Sequence, residues 1–124
     1  MNPKILLVAR ILLGLFMVVF GANKFAEFIP PPELSGEAGA YFMALTSANV
    51  LTVVGVLEIA TGLLFLSGRY VGLALIINAP MAFNALLFHL SLDPAGSGGA
   101  AVWTVLCIVV FVGIKDKFRE VLKP

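Results

Sequence analysis

The chain predicts an all-α polytopic membrane protein, a bundle of four transmembrane helices with an extended outer loop between the first and second. Three observations carry that reading. Hydrophobic residues make up 60% of the 124 and charged residues 12%, with a mean hydropathy of +1.06, which belongs to integral membrane proteins rather than soluble domains. Four apolar runs, at about 5–22, 50–66, 71–92 and 100–114, approach the ~20 residues that carry a helix across a bilayer. Threading those runs back and forth puts seven of the eight Lys and Arg residues on one side. All of it reads as one domain, residues 1–124.

Residues 5–22, ILLVARILLGLFMVVFGA, form the first span, interrupted only by Arg10. A cleaved signal peptide is the competing reading, but an arginine inside the apolar region is wrong for one and three further spans follow. From 23 to 49 the chain turns polar and broken, and Pro30, Pro31 and Pro32 exclude a continuous helix there. Within it, 36–45 suits a short amphipathic helix with Tyr41, Phe42 and Leu45 facing the lipid surface or the bundle mouth. So long a loop in so small a protein reads as a lid or a docking surface.

The second span carries Glu58 in the middle of VVGVLEIATGLLFLS. A charged group at the centre of a membrane helix costs roughly 2.5 to 3.5 kcal/mol, so it turns into the bundle and takes a partner. A tight connection bearing Arg69 leads to the third span, which holds Asn78, Pro80, Asn84 and His89. Pro80 deletes one backbone hydrogen bond and predicts a kink. DPAGSGG, 93–99, reads as a flexible turn before the fourth span, which is short unless Gly98 and Gly99 join it and where Trp103 suits an interfacial aromatic. The segment 115–124 is a basic, mixed-charge tail.

Lys4, Arg10, Arg69, Lys115, Lys117, Arg119 and Lys123 share the side of the termini, against Lys24 alone opposite. The positive-inside rule then makes both termini cytoplasmic in a bacterial-type cytoplasmic, or inner, membrane. So strong a bias argues against the dual-topology multidrug transporters, which match in size and in having an embedded glutamate.

At 100° per residue, Arg10, Gly14, Met17, Gly21 and Lys24 share one stripe of the first helix, and Leu51, Gly55, Glu58, Gly62 and Phe65 one stripe of the second. Glycines on such faces let helices approach closely, within a chain or between copies in a homodimer. Gly68 and Gly72 add a weak GxxxG. Measured at 1.5 Å per residue from the cytoplasmic ends, Arg10, Glu58 and Asn78 lie about 9, 12 and 13 Å deep. The expectation is a buried Arg10 to Glu58 ion pair with Asn78 as a further hydrogen-bond partner. A second polar layer, Asn23, Lys24, Asn49, Asn84 and His89, is expected under the outer lid as a ligand site. Such a pair either does no more than fix which helices meet or handles protons and ligand; His89 likewise is a packing residue or a ligand contact.

Several classes are excluded. A net charge of +1 with no basic stripe gives no nucleic-acid partner. Cys107 is alone, so neither a disulfide nor a CxxC centre can form, which removes the quinone-linked thiol oxidoreductases; it reads as a small hydrophobe. One histidine without paired carboxylates makes no metal site. No Walker A, GxGxxG or nucleophile elbow occurs.

Arg10 in ARILLGLFMVVFGANKF, the following NKFAEFIPPP, Glu58 in GVLEIATGLLFLSGR, and INAPMAFNALLFHLSLDP together resemble the DoxX-like family of small four-helix membrane proteins. The match runs over essentially the whole chain, through Arg10, Asn23, Lys24, Phe25, Glu58, Asn84 and His89. The resemblance implies a four-helix bundle. It also implies association with quinone-linked oxidation of sulfur compounds in some members and assistance to receptor assembly in distant eukaryotic ones. The chain has no cofactor motif and no catalytic or redox motif of its own, so its expected role is to bind quinone or anchor a catalytic partner. The alternatives are a membrane-protein assembly factor that docks a partner through its lipid-facing helices and outer loop, and a proton-coupled small carrier. Membrane lipids and either a second copy or a partner membrane protein are the expected associates.

Overall fold

A computed structural model describes residues 1–124. Six α-helices follow one another: α1 Pro3–Ala26, α2 Gly36–Ser47, α3 Val50–Ser67, α4 Val71–Leu92, α5 Ser97–Ile114 and the short α6 Arg119–Leu122. There are no strands. The helices α1, α3, α4 and the segment containing α5 are long and apolar enough to cross a membrane.

Local chemistry sets the ends. Asn2 caps α1, its side chain accepting from Lys4 N at 2.8 Å, with Pro3 in the first turn where its missing N–H goes unneeded. The far end closes at Glu27, left-handed at φ 49°, whose N–H reaches Asn23 O. Gly68 ends α3 at φ 73° and Tyr70 precedes α4 at φ 53°, so two left-handed residues separated by one reverse the chain between adjacent helices. The fourth span takes the longer of its two readings, since Gly98 and Gly99 join α5, and in place of a flexible turn a 3₁₀ helix, Pro94–Gly96, precedes it. In α4 the helix runs unbroken through Pro80, whose exposed ring points outward.

The four long helices alternate up and down in a closed ring, α1 packing on α3 and α5, and α4 on those same two. Such a ring is the up-down-up-down form of the four-helix bundle, here with one long connection, 27–49, between α1 and α3. Both termini and the α3–α4 turn share one end; the 27–35 loop, α2 and the α4–α5 turn share the other. Leu13, Met17, Phe65, Ala74 and Val110 fill the interior. Only 22 of 124 residues are buried, and the outward face shows Val8, Val53, Ile76, Phe83 and Val105, each at least half exposed. A surface apolar on that scale needs lipid against it.

The tightest contact is α1 on α3, and glycine makes it. A Cβ on Gly62 would lie 2.9 Å from Gly14 O, and one on Gly21 would lie 2.9 Å from Gly55 O, so the two backbones touch. The stripes expected to face inward do so. Those glycines are consumed inside the monomer, so a homodimer would be built on other faces. The Gly68 to Gly72 spacing makes no helix-packing face, because Gly68 ends α3 and Gly72 belongs to α4.

Candidate functional site

Glu58 is 1% exposed, and its partner is Lys24, with Nζ 2.6 Å from Oε1. The expected Arg10 to Glu58 pair does not form. Two physical reasons account for the difference. Gly14 against Gly62 and Gly21 against Gly55 set an antiparallel register that puts Arg10 level with Leu66, eight residues and about 12 Å from Glu58. Depths counted separately from each helix end had hidden that offset. Helical side chains also lean toward their own N-terminus. In antiparallel helices this turns Glu58 toward the end that holds α2 and Arg10 toward the end that holds both termini. Lys24, in the last turn of α1, leans back into the bundle and meets Glu58. Its side chain is 26% exposed, an apolar stem with its head turned inward.

Arg10 has a different task. Its Nη1 donates to Phe65 O and, at 3.4 Å, to Leu66 O. These carbonyls belong to the last turn of α3, where Phe65 O also accepts from Gly68 N at 3.3 Å and the negative end of the helix dipole lies. A Cβ on Gly68 would lie 2.7 Å from Nη1, so the glycine at this left-handed position also makes room for the guanidinium.

Asn78 is fully buried but does not join Glu58. Its Oδ1 accepts from Trp103 Nε1 at 3.1 Å and its Nδ2 donates to Ala74 O at 3.0 Å. Trp103, expected at the interface, is therefore 7% exposed inside the bundle, because an indole N–H pointed inward requires an acceptor and Asn78 is the one in reach. Thr61, also buried, returns its hydroxyl to Leu57 O at 2.7 Å. Cys107 is buried in the core.

The outer layer is a set of separate contacts. Asn23 Oδ1 accepts from Ile29 N at 2.7 Å, holding the start of the proline loop. Asn49 lies exposed at the left-handed residue before α3, with no side-chain hydrogen bond. Asn84 Nδ2 donates to Tyr41 Oη at 3.1 Å, and the Tyr41 ring stacks on Phe88, centroids 5.1 Å apart, so α2 is pinned to α4 by one aromatic residue. His89 Nδ1 is 3.0 Å from Asp93 Oδ2, both side chains partly exposed, and the Phe88 ring meets the imidazole edge-on at 4.9 Å. Tyr41, Phe88 and Asp93 were absent from the sequence-derived site. Asp93, four residues after His89 on a helical run, was the one with a readable signal.

The fold and these embedded polar pairs define an integral membrane protein. No protein-family model, curated protein or solved structure matches this chain.

Proposed function

We propose that the chain is a DoxX-like membrane subunit of a redox-linked assembly, without a redox centre of its own, which binds quinone or a similarly apolar carbonyl compound at the outer end of α4. The observation that carries this reading is the His89–Asp93 pair beside the Tyr41–Phe88 stack. With Asp93 accepting at Nδ1, Nε2 is the nitrogen left for a ligand: neutral, it accepts a quinol hydroxyl; protonated, it donates to a quinone carbonyl. Flat aromatic neighbours and Asn84 complete a mostly apolar surface with a few polar groups, the usual lining of small-molecule sites. The seven-to-one cation asymmetry supports termini in the cytoplasm of a bacterial-type membrane.

The test is a thermal shift of the detergent-purified chain with a short-tailed quinone, together with mass spectrometry of co-purifying lipids. A rise in Tm that disappears in His89→Ala, and quinone in the wild-type extract, are expected. No shift and no quinone would refute the proposal.

Docking of a partner membrane protein is the second reading, favoured by Phe25, Phe28 and Ile29, all exposed where α1 runs into the proline loop. Replacing Pro30, Pro31 and Pro32 would then impair the partner's assembly while the bundle stays folded.

A further inference from the structure

A groove on the lipid-facing surface runs between α1 and α5, lined by Lys4, Ile5, Val8, Ala9 and Leu12 of one helix and Leu106 of the other. Lys4 is its sole polar wall and stands at the terminal end. From Lys4 to Leu12 the groove rises about 12 Å, close to one leaflet of a hydrocarbon core about 30 Å thick. A partner's transmembrane helix would need twice that length; an acyl chain beneath its head group does not.

Charge selects the head group. A Cβ on Gly113 would lie 2.6 Å from Leu6 Cδ1, so the end of α5 packs on the first turns of α1, beside Lys4. The carboxylates of the tail are occupied, Asp116 by Arg119 and Glu120 by Lys123. Lys4 takes part in none of the four ion pairs of the chain. The groove therefore ends at a cation without a counter-charge, at head-group depth.

We propose that the α1–α5 groove is a binding site for an anionic phospholipid, with one acyl chain along Val8 and Leu12 and the phosphate on Lys4. A zwitterionic lipid would bring its own cation to the same place and gain less. The site is independent of the quinone reading, being at the opposite end of the bundle.

Native mass spectrometry of the full chain, titrated with phosphatidylglycerol or phosphatidylcholine of matched acyl chains, tests it. Phosphatidylglycerol is expected to be retained in preference. Lys4→Gln should weaken its retention about fivefold, the worth of one basic residue near an anionic surface. Val8→Trp, which fills the groove from an exposed position and leaves every charge in place, should weaken it as well. Arg69→Gln, at the same end but outside the groove, should leave it unchanged. Equal retention of the two lipids, equal losses in Lys4→Gln and Arg69→Gln, or full retention in Val8→Trp would each overturn the site. Circular dichroism of each variant confirms that helical content is intact.

Discussion

Lys24 reaches back along α1 to hold its ammonium 2.6 Å from the Glu58 carboxylate, while Arg10, on the same stripe of the same helix, caps the end of α3 instead. Two cations that look equivalent in sequence thus do different work.

A double-mutant cycle separates them. Coupling between Lys24 and Glu58 should exceed about 1 kcal/mol, and coupling between Arg10 and Glu58 should be near zero, since separated sites without shared partners add within about 0.5 kcal/mol. Unfolding in a denaturing detergent series measures both.

Breaking the pair from one side is the harsher change. Lys24→Met leaves a buried carboxylate alone and should destabilise by about 3 kcal/mol, whereas Lys24→Met with Glu58→Leu should recover most of the loss, because a buried ion pair adds little beyond an apolar replacement. Glu58→Gln keeps an acceptor for Lys24 and should be milder than Lys24→Met. The same variant decides the carrier reading, since proton-coupled transport through Glu58 would stop in Glu58→Gln.

Arg10→Ala should act locally. Uncapping the last turn of α3 should cost about 1 to 2 kcal/mol and speed amide hydrogen exchange across Leu66, Ser67 and Gly68, with the N-terminal half of α3 unaffected. Uniform acceleration along α3 would show that Arg10 supports the whole helix.

The glycines divide by place. Gly62→Ala sets a Cβ 2.7 Å from Val18 Cγ2 and 2.9 Å from Gly14 O, and should cost about 1 to 3 kcal/mol by forcing α1 and α3 apart. Gly98→Ala meets nothing within 4 Å and should stabilise α5 by about 0.5 to 1 kcal/mol through helix propensity. Thermal unfolding of the two variants should shift in opposite directions.

Trp103 is the only tryptophan, so its fluorescence reports the Asn78 contact directly. Asn78→Leu should shift the emission and, by leaving a buried indole N–H without an acceptor, cost about 1 to 3 kcal/mol. Trp103→Phe in the same background should recover part of that loss.

How much of the site was legible follows from these residues. Burial of Glu58 and Asn78 was readable, because an isolated polar group in an apolar run has to turn inward. Inward placement of the glycine stripes was readable from a period of 3.6. The partner of Glu58 was not: Arg10 and Lys24 lie on one stripe fourteen residues apart, and choosing between them needs the α1–α3 register and the direction of each Cα–Cβ bond. The Tyr41–Phe88 stack joins segments separated by the reversal at α3, for which sequence spacing offers no rule.

By itself the sequence determined that this is a four-span membrane helical bundle, which ends are basic, and which faces turn inward, since hydropathy, charge and periodicity are local properties of the chain. Only the tertiary structure decided which cation neutralises Glu58, what Asn78 and Trp103 do for one another, and that α2 is pinned by Tyr41. Those outcomes depend on how one helix slides past the next, and a shift of a single turn, about 5.4 Å, exchanges one partner for another while leaving every local property unchanged.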